Sequence, residues 1–97
     1  MAGYYLVQDA EIDLDAILDY IAEESLPSAL KVQERFLEIF RMLADNPEAG
    51  HFREDLTSRP VRFFPIYSYM VVYLTDTNPV EIVRIIGVAQ DAESILN

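Results

Sequence analysis

The chain has 97 residues, the length of one domain, and 52% of them are hydrophobic, so it has the material for a buried core and does not read as disordered. It contains no cysteine, which excludes disulfides and thiolate metal sites and fits a reducing compartment. Its net charge of −10 argues against binding to free nucleic acid, because non-specific binding comes from Lys and Arg displacing counterions from phosphates.

The acid is concentrated at the start. Residues 1–30 carry Asp9, Glu11, Asp13, Asp15, Asp19, Glu23 and Glu24 and neither Lys nor Arg; the only lysine is Lys31. The opening MAGYYLVQDAEIDL lacks a basic start followed by a long apolar run, so no signal peptide is expected. No apolar run approaches the roughly 20 residues of a membrane span. The expectation is a cytoplasmic protein with no membrane contact, whose acidity first of all keeps it in solution.

Tyr4 to Gln8 reads as a short first strand, and Asp9 as the cap of the helix that follows. Ala10, Leu14, Ile17, Leu18 and Ile21 then fall at helical spacing and form one apolar stripe. On another face Glu11, Asp15, Asp19 and Glu23 stand four apart. Each like-charge neighbour pair costs about 0.2–0.5 kcal/mol, which burial of the stripe outweighs. This acidic ridge is either a solvated face or a landing surface for a basic partner.

Ser25-Leu26-Pro27-Ser28 breaks the pattern, and proline in a first turn marks the start of a second helix, from about Pro27 to Ala44. Ala29, Val32, Phe36, Ile39, Phe40 and Leu43 form its stripe; Leu30 and Leu37 lie off it, either widening the buried face or serving a docking chain. Asn46-Pro47 ends this helix and Gly50 follows. The short connection makes the two helices an antiparallel hairpin.

A charged loop, residues 46–60, leads to Val61–Val88, which reads as a three-stranded antiparallel meander. Pro65 points to an edge strand or a bend, and Asp76-Thr77-Asn78-Pro79 to the turn before the last strand. Tyr69, Val71 and Tyr73 alternate with Met70, Val72 and Leu74, so both faces of the middle strand are apolar and both need cover. The helical hairpin covers one, and the pattern hints that another chain covers the second. The last strand, Val80–Val88, places Ile82, Arg84, Ile86 and Val88 on one face and Val83 and Ile85 on the other; Asp91 to Leu96 fits a last helical turn.

Chemistry-bearing motifs are few. There is no Gly-rich phosphate loop, no Ser–His–Asp or Cys–His pattern and no zinc signature. Glu11, Asp15 and Asp19 have oxygen ligands but no loop to close a metal site, so neither metal nor cofactor is expected. Arg84 among apolar strand residues, with Arg62 beginning the neighbouring run, suits either a structural carboxylate or a partner's carboxylate or phosphate. Arg53 near Asp55 reads as a local brace or a contact, and His51 as an exposed loop histidine. Tyr69 and Tyr73 share a face, as half-buried sheet residues or as a surface that stacks on a partner.

Taken in order, Asp13-Leu14, Ile17 and Tyr20-Ile21; Leu43-Ala44, Pro47 and Gly50; Arg53, Asp55-Leu56 and Arg62; Tyr69-Met70-Val71-Val72-Tyr73; and Ile82-Val83-Arg84-Ile85-Ile86 with Ala89 and Asp91 make a set that resembles the RelE/ParE superfamily of bacterial toxin–antitoxin toxins. The resemblance spans nearly the whole chain. It implies a single α+β domain over residues 1–97, a helical hairpin packed on a small antiparallel sheet. It also implies a small toxin silenced by a cognate antitoxin, ParD-like or related, whose partly disordered C-terminal segment folds onto the hairpin and sheet.

RelE-like members of the superfamily cut messenger RNA on the ribosome; ParE-like members act on DNA gyrase. RNA cleavage asks for a base, an acid and cations at the phosphate. The superfamily's last-strand motif reads Arg, two apolar residues, His, Gly, Ala, Arg, Asp. Here it reads Arg84-Ile85-Ile86-Gly87-Val88-Ala89-Gln90-Asp91, and the tail from Asp91 to Asn97 holds no Tyr, His, Lys or Arg. The resemblance therefore implies a ParE-like gyrase inhibitor with no catalytic residue. Arg53, Arg62, Tyr69, Tyr73 and Arg84 are its candidate target or antitoxin contacts. A ribosome-dependent endoribonuclease and a non-toxic interaction module of the same fold are the alternatives. The acidic ridge adds the expectation that its partner carries a basic face.

Overall fold

In the computed structural model, which describes residues 3–97, β1 (Tyr4–Leu6) leads into α1 (Gln8–Glu24). The N-cap is Val7 with extended backbone, not Asp9, which lies inside the first turn with Glu11. There the two acids act on the positive end of the helix dipole instead of capping a backbone N–H. Ser25 serves both helices. Its N–H donates to the Ile21 carbonyl, closing α1, and its Oγ accepts from the Ser28 N–H at 3.2 Å, opening α2 (Leu26–Asp45) with Pro27 in the first turn. Asn46 ends α2 by donating both its backbone N–H and its side-chain amide to the Met42 carbonyl.

After a 3-10 turn (Pro47–Ala49) come β2 (His51–Phe52), β3 (Val61–Ile66), β4 (Tyr69–Leu74), β5 (Val80–Gly87) and α3 (Ala92–Leu96). The sheet order is β1-β5-β4-β3-β2. The expected meander is β3–β4–β5, antiparallel throughout. The whole sheet is mixed, because β1 runs parallel to β5 with Tyr4 to Leu6 opposite Val80 to Ile82. At the other edge β2 reaches only Phe63 and Arg62. Pro65 lies beyond that pairing, opposite Met70, so its missing N–H falls where β3 has no outer neighbour.

The faces of β4 alternate as the sequence predicts. Tyr69, Val71 and Tyr73 join Phe36, Phe40 and Leu43 in the core under the helices; Val72, with Met70 and Leu74, joins the opposite one. Phe36, Phe40 and Leu43 are fully buried, each worth about 1.5–3 kcal/mol relative to exposure. The alternation expected for β5 fails. Val72 pairs with Arg84 while Tyr73 pairs with Ile82, so the register shifts by a residue, a bulge that breaks the two-residue period. Ile82 and Ile85 therefore share the helix-side core, and Val83 and Ile86 share the other.

That second core also corrects the expectation of a covering chain. Val61, Phe63, Val72, Val83 and Ile86 are covered by this chain's own Ala92, Ile95 and Leu96 from α3 and by Leu56. A polar latch fixes the cover. The buried Thr57 donates its hydroxyl to Asn97 Oδ1 at 2.8 Å, and Asn97 Nδ2 donates to the Leu56 carbonyl at 3.0 Å. Asp91 caps α3, accepting from the Ser94 N–H at 3.4 Å and also from the Ser94 hydroxyl at 2.7 Å. Among the described residues no helix is long and apolar enough to cross a membrane.

Candidate functional site

The bulge in β5 and the inner flank of α1 bring Arg84 to Asp13. Arg84 donates through Nε to Oδ2 at 2.8 Å and through Nη2 to Oδ1 at 3.0 Å, and the Ile85 N–H adds a third bond to Oδ2 at 2.9 Å. The two side chains are 28% and 15% exposed. The hydrogen bonds it donates to Asp13 raise the Arg84 pKa above its ordinary value, partly opposed by burial and aided by the charges of Asp13 and Asp9. Such a two-pronged pair carries directional strength; here it bolts the first helix to the last strand. Sequence reasoning placed Asp13 in the family-like set but did not name it as this partner. The signal was its place on the apolar stripe, three residues after Ala10 and four before Ile17.

Tyr73 is fully buried. Its hydroxyl donates to the Pro47 carbonyl and accepts from the Gly50 N–H, each at 2.8 Å, so it ties the loop after α2 to the sheet. Burial pushes its pKa up. The approach explains Gly50: a Cβ there would lie 2.6 Å from Tyr73 Oη and 2.8 Å from the Phe63 carbonyl oxygen. Arg62 meets the same glycine from the other side, donating through Nη1 to the Gly50 carbonyl at 3.0 Å. Its guanidinium carbon lies 4.3 Å from the centroid of the exposed Phe52 ring. Its Nε is buried without a hydrogen-bond partner.

Arg53 forks onto Asp55 at 3.0 and 2.8 Å on an exposed loop, which lowers the Asp55 pKa. Arg59 reaches the Leu96 carbonyl at 3.4 Å, and His51 is exposed on β2. Tyr69 is half-buried, its ring centroid 6.2 Å from that of Phe36. It lines an open groove of about 650 Å³ with Asp13, Ala16, Ile17, Tyr20, Ile85, Gly87 and Gln90. The structure thus sorts the five candidates into two groups at different ends of β4. Tyr69 and Arg84, through Asp13, belong to this groove. Tyr73 and Arg62 meet at Gly50, with Arg53 beside Phe52. Among the described residues no three metal-ligating side chains converge.

Two groove residues, Gly87 and Gln90, stand where the last-strand motif has its histidine and its second arginine. Gln90 Oε1 accepts from the Gly87 N–H at 2.7 Å, so the pair closes a neutral turn where the motif has two basic side chains.

A family model described as the ParE toxin of type II toxin–antitoxin systems matches residues 4–92. The chain belongs to the ParE toxin family. A solved chain from the chromosomal ParDE toxin–antitoxin system of P. aeruginosa is 25% identical to it. That likeness has a TM-score of 0.72 and covers 90% of this chain and 96% of the other. Comparison with curated proteins returns no match. In this ParE toxin the helical hairpin precedes the meander as the resemblance implies. On the outer surface of the hairpin Ile12, Tyr20, Leu26 and Leu30 are exposed large apolar residues, as are Tyr5, Phe52, Tyr67 and Val88 elsewhere.

Proposed function

We propose that this ParE-family chain inhibits DNA gyrase by binding, without making or breaking a covalent bond, and is silenced in the cytoplasm by a ParD-like antitoxin. One observation carries the choice of binding over catalysis. The arginine of the last-strand motif, Arg84, is committed to Asp13 and the Ile85 N–H turns to the same carboxylate. RNA cleavage needs a base, an acid and free cations around one phosphate. At the positions of the motif's histidine and second arginine stand Gly87 and Gln90, which bond to each other. Arg53, Arg59 and Arg62 are each engaged with groups of this chain.

Antitoxin neutralisation rests on the family and on the likeness to the ParDE chain. The exposed apolar residues of the hairpin and the groove provide surface for an ordering segment to bury.

The test is induced expression in a bacterial host without antitoxin, scoring growth, DNA-damage response and cleavage of ribosome-bound messages together, followed by gyrase supercoiling with purified protein. Arrest with DNA damage, intact messages and blocked supercoiling is expected. Cut messages would replace this reading with the nuclease one, and absence of arrest would leave a non-toxic interaction module.

A further inference from the structure

Helix α1 presents two adjacent rows away from the core. One is Glu11, Asp15, Asp19 and Glu23; the other is Ile12, Ala16 and Tyr20, each one residue further on. All are exposed. Residues four apart on a helix stand over one another, so the acids and the apolar groups form parallel stripes of about 6 Å spacing. Ile12 is 57% and Tyr20 72% exposed. Ala16 and Tyr20 also form one wall of the groove, with Ile17, Tyr69 and Ile85 behind them. The apolar stripe is therefore continuous with a concave apolar floor, and the acidic stripe lies beside the apolar one on the helix. Among the described residues none of the four ridge acids is in a salt bridge; the only α1 acid so engaged is Asp13.

We infer that this surface takes a cationic amphipathic helix: the antitoxin segment that silences the toxin, with apolar side chains in the groove and Lys or Arg spaced four apart along the ridge. The inference rests on the proposed neutralisation by an antitoxin and specifies the chemistry of that partner. Charge decides the occupant. A second copy of this chain carries −10 overall and would set ridge against ridge. Nucleic acid and anionic lipid are repelled by the same row. A basic helix reverses the cost, since carboxylates that repel one another in the free helix each gain an opposite charge in the complex. The apolar stripe selects an amphipathic partner over a merely basic one, because it must be matched by side chains that gain from leaving water.

The probes are three labelled peptides of about 18 residues: an amphipathic Leu/Lys helix, its Leu/Glu counterpart, and a scrambled Leu/Lys sequence without an apolar stripe. Binding to the full chain is followed by fluorescence anisotropy at low and high salt. The amphipathic Leu/Lys helix is expected to bind tightest and to weaken with salt. The triple variant Asp15→Asn, Asp19→Asn, Glu23→Gln should lower its affinity about tenfold and flatten the salt dependence. Tyr20→Ser should lower affinity and leave the salt dependence unchanged. Equal binding of the Leu/Glu peptide, equal binding of the scrambled one, or a triple variant with wild-type affinity each overturns the inference. Growth arrest by the unpartnered chain is scored separately. Arrest without Leu/Lys binding refutes the charge inference alone; binding without arrest upholds the surface and refutes the toxin reading.

Discussion

Removing one oxygen atom from Tyr73 tests how this fold is tied together. Tyr73→Phe keeps the buried ring, so apolar burial is unchanged, but leaves the Pro47 carbonyl and the Gly50 N–H without the partner each has at 2.8 Å. Two lost hydrogen bonds at about 1 kcal/mol each, plus part of the penalty for stranding a buried amide, give a cost of about 2–3 kcal/mol. For a domain of this size that is a fall in Tm of about 10–20 °C. Urea unfolding followed by far-UV circular dichroism should show a lower midpoint with an unchanged slope, and the Gly50 amide should lose hydrogen-exchange protection. The pH dependence supplies a second arm. Burial raises the Tyr73 pKa above the ordinary value of 10.0. A raised pKa means the neutral form is favoured by folding, so this contribution is complete below pH 10 and is lost as pH rises through the folded-state value. Wild type should therefore converge on Tyr73→Phe at strongly alkaline pH. A stability change below about 0.5 kcal/mol at neutral pH, with Gly50 still protected, would refute the tie.

Asp13→Ala strands the Arg84 guanidinium and the Ile85 N–H together. Because the pair is partly exposed, the expected loss is about 1–3 kcal/mol, below the 3–5 of a fully buried pair, and a double-mutant cycle with Arg84→Met should recover a coupling energy of similar size. Leu96→Ala opens the cover of the second core. It should cost about 2–3 kcal/mol and raise binding of a hydrophobic dye, in unfolding and dye-fluorescence measurements. Hydrogen bonds from Ser94 lower the Asp91 pKa; the cap is therefore present above the unfolded-state pKa and lost as pH falls through the folded one. Methyl NMR signals of Ile95 and Leu96 should report α3 loosening in acid. Tyr67, in the two-residue turn between β3 and β4, has φ of 54°. Thermal unfolding should show Tyr67→Gly near neutral, relief of strain offsetting the lost edge contact with Phe36, and Tyr67→Val destabilised by more than about 1 kcal/mol.

Most of the fold was legible because its elements carry strong periodic patterns. The α2 stripe and the two faces of β4 follow from spacing alone. What was missed depends on events a period cannot encode. The β5 bulge shifts the phase of Arg84 to Ile86 without any glycine or proline at the shift to announce it. The cover of the second face comes from α3 and Leu56, too short and too irregular to register as an apolar face. Asp9 was the obvious helix cap by residue type, yet the chain leaves β1 directly at Val7, whose N–H donates to the Ile82 carbonyl in the sheet, so the helix begins before Asp9. At the candidate site the residue types were visible and their commitments were not. Tyr73 and Arg84 read as braces or as contacts, with the structural role favoured, and Gly50 and Asp13 supply the partners. The acidic ridge was fully readable in the sequence; its apolar neighbour row and the groove gave it a direction.

The parallel pairing of β1 with β5 also has a kinetic side. Tyr4 to Leu6 find their partners at Val80 to Ile82, so the first strand made waits for almost the last. Contacts this distant in sequence are slow to form, and the Asp13–Arg84 bolt spans a similar separation. A chain still emerging from the ribosome can form its helical hairpin but cannot close the sheet beneath it until residues 80–87 have been made. The groove floor, which needs Ile85, forms at the same moment. Topology thus withholds the finished groove from incomplete chains, and the cationic helix inferred above would engage only molecules that have reached the folded state.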